Sequence, residues 1–385
     1  MSSKPHYPIL DALRGVAALT VVAFHIFEAH ATGPLDQVIN HGYLAVDFFF
    51  LLSGFVIAYA YDDRWKEMTV GNFFRRRLER LQPMVVMGMI IGAVLFYFQA
   101  SSVWPMIAGV PVWKMLLVML VGFTMIPLPT SVDIRGWYES YPLNGPAWSL
   151  FYEYIVNILY GLLIRRFSKI LLTILVLLAA ANLVHYCVTS ASGDVIGGWS
   201  LEPQQLRIGF TRVMYPFFAG LLLFRTVNLT HVKNAFSWCS LLIVAVLALP
   251  RIGGIEHPCM NGVYESISII LIFPLIVYLG AGGELQSKVS KKLCKFLGDI
   301  SYPIYITHYP LIYIYTAWVK NNKISLRDGY PMGMLVFISA IAIAYACLKW
   351  YDEPIRAWLQ KKRVAAEIRS RQEGKEFAER EEKAR

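Results

Sequence analysis

Apolar residues in this chain run in blocks of about twenty, separated by short polar segments, and about twenty is the length a helix needs to cross the hydrocarbon of a bilayer. The blocks predict membrane spans at 9–29, 42–61, 82–100, 147–164, 170–188, 208–226, 235–250, 262–281, 298–318 and 332–350. With the N-terminus in the cytoplasm, the segments on the inner side hold 27 of the Lys and Arg residues and those on the outer side hold 7. That asymmetry orients a membrane protein, and ten spans then leave both termini cytoplasmic. The apolar stretch 114–129 does not fit as an eleventh span, because it would send the basic segment 165–169 and the basic tail outside. It is expected to be a re-entrant or interfacial helix, whose backbone is tolerated where protein or water covers it.

Composition agrees. The 385 residues are 56% hydrophobic and 16% charged, against about a quarter charged in soluble domains. The predicted class is an all-α integral membrane protein, with one domain over 1–360 and a charged cytoplasmic tail over 361–385 that reads as a solvated helix. The net charge of +10 borders the spans rather than forming a patch, so nucleic acid is not an expected partner and membrane lipids are. The N-terminal MSSKPHYPILDALRG has an acid and an arginine inside its would-be apolar region, which does not fit a cleaved signal peptide. None of the five cysteines stands at metal-ligand spacing, so no metal is expected and soft apolar packing is the favoured reading; Cys187 and Cys259 fall on one side, which leaves a disulfide between them open. No internal repeat is evident, and lipid-facing and partner-facing surfaces read alike, so no oligomeric state is set.

The first span carries the chemistry. In LRGVAALTVVAFH, Arg14 and His25 stand eleven residues apart, about 20° past three full helical turns, so they share a face and lie about 16 Å apart along the axis. Ionisable groups inside a span face a cavity, a pathway or one another, and Asp47, Glu153, Arg212, Asp299 and His308 add to the set. In the second span Gly54 lets a backbone or a ligand approach closely. In FFRRRLERLQP, Arg77 and Arg80 at i, i+3 can meet phosphate oxygens, of a ligand or of lipid headgroups. In NGPAWSLFYEYIVN, Pro146 fits a first helical turn, Trp148 fits an interface, and Glu153 is a carboxylate that needs a histidine or arginine partner. In GDISYPIYITHYPLIYIYTAW, Tyr302 and His308 stand among aromatics around a kinking proline. On the residues alone, an enzyme and a secondary transporter or flippase for a sugar or lipid-linked substrate stand nearly level.

At these residues the chain resembles the membrane-bound acyltransferase-3 family. LDALRGVAALTVVAFH is similar to its Arg, ten residues, His signature; VDFFFLLSGF, RRRLER, WSLFYE, SYPIYITHYPL and YDEPIR follow in the family's order. The resemblance implies a multi-pass enzyme of the inner or plasma membrane that moves an acyl group, usually acetyl, from cytoplasmic acyl-CoA to a hydroxyl of an extracytoplasmic glycan or glycolipid. His25 is then the catalytic base, with Glu153 or Asp47 orienting it. Arg14, Arg77, Arg80 and Gly54 line the path of acetyl-CoA, and Trp148, Tyr302 and His308 line the acceptor side. The acceptor's identity and the choice between direct transfer and an acyl-histidine remain open at this stage.

Overall fold

The computed structural model describes residues 7–365. Its helices are α1 (Pro8–Glu28), α2 (Ala45–Tyr61), α3 (Val70–Leu95), α4 (Val112–Phe123), α5 (Ala147–Leu162), α6 (Lys169–Thr189), α7 (Pro203–Thr226), α8 (Ala235–Ala248), α9 (Pro258–Ile267), α10 (Phe273–Ala281), α11 (Lys288–Thr307), α12 (Tyr309–Asn322) and α13 (Leu326–Cys347). No strand forms among the described residues, apart from an isolated bridge between Val232 and Gly283. Among the described residues seven helical segments are long and apolar enough to cross a membrane. Every expected span is helical, and 114–129 overlaps the twelve-residue α4, after which Met125 is left-handed. The final helix runs on to Ala365; the rest of the expected tail lies outside the described residues.

Proline explains where helices depart from the one-span-one-helix reading. Pro310 has no N–H to give the carbonyl four residues back. The expected span 298–318 accordingly divides at His308 into α11 and α12, and the Ile306 carbonyl accepts instead from Asn144 Nδ2 at 2.9 Å. Pro274 does the same after α9: the chain widens into a π-turn over Ser268–Ile272, and the Ile270 carbonyl accepts from Tyr215 Oη at 3.0 Å. In an apolar medium a freed carbonyl needs such a substitute partner.

Close backbone packing and buried ion pairs join the helices. α1 lies mainly on α11, and α2 mainly on α7. Gly54 and Gly220 face each other across the second contact: a Cβ on Gly54 would overlap the Phe217 carbonyl, and one on Gly220 the Leu51 carbonyl. The room that Gly54 makes is therefore filled by α7, which corrects its expected place on a ligand path. The same contact holds the fully buried pair of Asp47 and Arg212, 2.6 Å apart. The cysteines are all free thiols, Cys187 buried and Cys259 exposed, so the disulfide left open does not form.

Gly54→Ala is expected to destabilise the protein by about 1–3 kcal/mol through overpacking. Gly109→Ala, where the added methyl meets nothing within 4 Å, is expected to stay within about 0.5 kcal/mol. Thermal unfolding of the two purified variants in detergent checks the contrast; equal losses would remove the close-packing account.

Candidate functional site

Because α1 is unbroken from Pro8 to Glu28, Arg14 and His25 keep the shared face their spacing demands. Each opens on a different cavity. Arg14, Arg77 and Arg80 line an inner cavity of about 120 Å³ whose remaining wall is largely apolar, from Phe49, Phe50, Val56, Ile57 and Leu81. Arg14, Val56, Arg80, Ser301 and Tyr302 are shared with a wider vestibule of about 710 Å³ that also reaches Tyr59, Lys295 and Arg356 and the acids Asp11, Asp299, Asp352 and Glu353. His25 lines an outer cavity of about 340 Å³. The inner and outer cavities share Val46 and Tyr305 as their common wall. Three hollows thus lie in a row, arginine-lined at one end and histidine-lined at the other.

The three arginines differ in what engages them. Arg14 bonds Asp11 at 2.7 Å and Ser301 Oγ at 2.9 Å. Arg77 pairs with Glu153 at 2.8 Å, and Glu153 Oε1 also accepts from Ser53 Oγ at 2.5 Å and Asn157 Nδ2 at 2.9 Å. Glu153 therefore has the arginine its burial requires, and it contributes to the inner cavity. Among the described residues no hydrogen bond or ion pair engages the Arg80 guanidinium, which faces both the inner cavity and the vestibule. A cation with free donors facing a hollow is ready for an anionic group such as phosphate.

At the other end, His25 Nδ1 lies 2.7 Å from Glu28 Oε2. An ionised carboxylate only accepts, so this bond puts the ring proton on Nδ1 and leaves the Nε2 lone pair free. That is the base-plus-orienter arrangement of general-base catalysis. The carboxylate beside the ring is Glu28, whereas those expected there, Glu153 and Asp47, pair with Arg77 and Arg212. Glu28 is absent from the residues the sequence singles out; its i, i+3 spacing from His25 is the available signal. Tyr309 meets the His25 ring edge-on at 4.7 Å, and the His308 ring stacks on it at 5.6 Å.

Of the expected acceptor-side residues, Trp148 lines the outer cavity. Tyr302 lines the inner cavity and the vestibule, and its hydroxyl donates to the Leu81 carbonyl at 2.7 Å. His308 lines none of the three hollows. It is fully buried behind His25, with Nδ1 at 2.9 and 3.0 Å from the Ile304 and Tyr305 carbonyls. Its tautomer is fixed by those carbonyls, which only accept. Sequence reading also missed Tyr305, whose hydroxyl is 2.7 Å from Ser149 Oγ, and Glu139. The Glu139 carboxylate lines the outer cavity and accepts from Tyr313 Oη at 2.7 Å. Burial pushes the Glu139 carboxyl up to about 7, with Arg135 pulling the other way.

Comparison with known proteins places the chain in a family. Residues 7–349 match the sequence profile of the family described as acyltransferase domain. Among similar proteins, Protein 2 in picA locus from Rhizobium radiobacter is 32% identical, over 42% of this chain and 85% of that protein. Acyltransferase MdmB from Streptomyces mycarofaciens is 34% identical, over 42% of this chain and 40% of its own length. Peptidoglycan O-acetyltransferase OatA from Listeria monocytogenes is 23% identical, over 92% of this chain and 56% of its own length. The chain thus spans about half the length, or less, of the last two. No solved structure matches it. From the profile match across nearly the whole sequence, the chain belongs to the membrane-bound acyltransferase-3 family.

Proposed function

We propose that the protein transfers an acyl group, acetyl by preference, from cytoplasmic acyl-CoA to a hydroxyl of an extracytoplasmic glycan or glycolipid, with His25 as general base. The observation that supports this most is the row of hollows: an arginine-lined entrance, an apolar neck, and a histidine–glutamate pair in the hollow beyond. The names of the relatives, acyltransferase and peptidoglycan O-acetyltransferase, give the reaction class. The proposal includes ten membrane spans with both termini cytoplasmic, as the charge asymmetry requires, so that the vestibule opens inward and the outer cavity outward.

In this reading Arg80 and Arg14 bind the phosphates of acyl-CoA at the vestibule, where Lys295 and Arg356 stand with them beside the acids Asp11, Asp299, Asp352 and Glu353. The apolar walls of the inner cavity take the pantetheine arm, over a length that the ~16 Å between Arg14 and His25 would span. The thioester then lies near Val46 and Tyr305. His25 Nε2 takes the proton of the acceptor hydroxyl as its oxygen bonds to the thioester carbonyl carbon. The carbon–sulfur bond breaks, and His25 returns the proton to the leaving thiolate. Glu28 holds the ring and stabilises its charge while the proton resides there.

His25→Ala is expected to remove acyl transfer while leaving acetyl-CoA binding, and Glu28→Gln to lower kcat by about 10–10²-fold with little change in KM. Radiolabelled acetyl transfer by the purified variants reads both. A Glu28→Gln enzyme with unchanged kcat would remove the orienting role.

The engagement of the arginines gives a second expectation. Arg80→Ala should raise KM for acetyl-CoA about ten-fold, the equivalent of one lost charge-assisted hydrogen bond. Arg77→Ala should instead lower thermal stability by about 3 kcal/mol or more, because it strands Glu153 without its cation. Steady-state kinetics and unfolding of both variants separate the roles; the opposite pattern would place the phosphate contact on Arg77.

A further inference from the structure

The arginines at the two ends of the row differ in what engages them. The inner cavity carries Arg80, whose guanidinium nothing engages among the described residues. Among those residues Arg212 is the one Lys or Arg side chain that lines the outer cavity, and all three of its nitrogens are engaged. Nε and Nη2 bond Asp47 at 3.3 and 2.6 Å, Nη2 bonds the Tyr43 carbonyl at 2.7 Å, and Nη1 points at the Gly197 carbonyl at 3.4 Å. Glu28 and Glu139 line the same space. A carboxylate or phosphate entering it would lose water, find no lysine or arginine with free donors, and stand beside the carboxyl groups of Glu28 and Glu139.

The rest of that wall is aromatic and built with care. Trp137 lines the cavity and is 44% exposed. It sits in a turn where the Asp133 carboxylate accepts from the backbone N–H groups of Arg135, Gly136 and Tyr138, each at 2.8 Å. Tyr138, directly after it, holds φ of +58°, a sparsely populated conformation for an aromatic residue that persists only when its surroundings impose it. The turn is pinned from behind: Arg135, fully buried, bonds Gln99 Oε1 and the Pro142 carbonyl, each at 2.7 Å, and lies over the Tyr313 ring at 3.5 Å. Trp104 supports the Trp137 ring edge-on at 5.3 Å. Trp199 also lines the cavity, and its carbonyl accepts from Ser140 N–H at 2.7 Å. A rigid, amphipathic aromatic presented on a strained support is the surface on which the C–H face of a pyranose ring packs.

We propose that the outer cavity is a binding site for an uncharged hexopyranose, packed against Trp137, and that it excludes acidic sugars. This rests on the acyl-transfer reading above for its biological sense, but binding can be tested without transfer. The full chain in nanodiscs is titrated with methyl β-D-glucopyranoside and with the matching glucuronide, which differ only at C6, and saturation-transfer NMR reads the sugar ring protons. The glucoside is expected to bind at least about ten-fold more tightly than the glucuronide. Trp137→Ala should weaken glucoside binding about ten-fold, and Trp137→Tyr should keep most of it, each a step of the size that one aromatic contact and its conversion to affinity allow. Equal or tighter glucuronide binding, no glucoside binding at millimolar concentration, full binding by the alanine variant, or equal loss in the tyrosine and alanine variants would each overturn the proposal. Radiolabelled acetyl transfer on the same samples separates the two ideas. Selective binding without transfer leaves the sugar site standing and removes the enzyme reading; transfer to both sugars alike does the reverse.

Discussion

A charge inside a membrane-spanning helix must find a partner or water, and this requirement organises the interior of the protein. Hydrocarbon offers no hydrogen bonds, so each ionised side chain there is costly until paired. Asp47 on α2 finds Arg212 on α7, and Glu153 on α5 finds Arg77 on α3. These pairs draw together helices remote in sequence, and removing either partner leaves an uncompensated buried charge. The carbonyls that Pro310 and Pro274 leave without a helical N–H are met by Asn144 and Tyr215 in the same way.

Against that background of engaged groups, the exceptions are informative. Among the described residues nothing holds the Arg80 guanidinium at one end of a row of hollows. The His25 Nε2 lone pair is free at the other, its ring fixed through Nδ1 by Glu28. A donor set for an anion and a base for a hydroxyl are the two requirements of acyl transfer from a phosphate-bearing thioester to an alcohol. The apolar neck between them, bounded by Val46 and Tyr305, suits an uncharged connecting arm. Anion binding, chemistry and selectivity would then reside in different residues along one path, and at the histidine end the one arginine of the lining, Arg212, is already engaged by Asp47.

The helices and the shared face of Arg14 and His25 were legible in the sequence because both follow from local periodicity, which lipid enforces strictly. The motif order also marked the family. What long-range packing decides was not legible. Asp47 could be recognised as needing a cation, but only the fold shows that Arg212, 165 residues away, supplies it. Gly54 suited ligand approach and helix packing equally, and α7 settles the matter by filling the space. The span 298–318 carried its prolines in plain view, yet the break falls at His308 and turns that ring behind His25 rather than into a cavity. Glu28 lies one turn beyond His25, and only the fold shows its carboxylate on the ring.

The central claim is that the acyl group crosses the bilayer inside this chain, and it is tested most directly by separating donor from acceptor. Proteoliposomes are prepared with the sugar acceptor enclosed and radiolabelled acetyl-CoA outside. The population with the cytoplasmic face outward is kept by removing the opposite orientation, in which the exposed Cys259 takes an impermeant biotin label. Labelled sugar recovered from the lumen, with free CoA remaining outside, is the predicted result. Labelling only when donor and acceptor share one compartment would contradict transfer through the row of cavities.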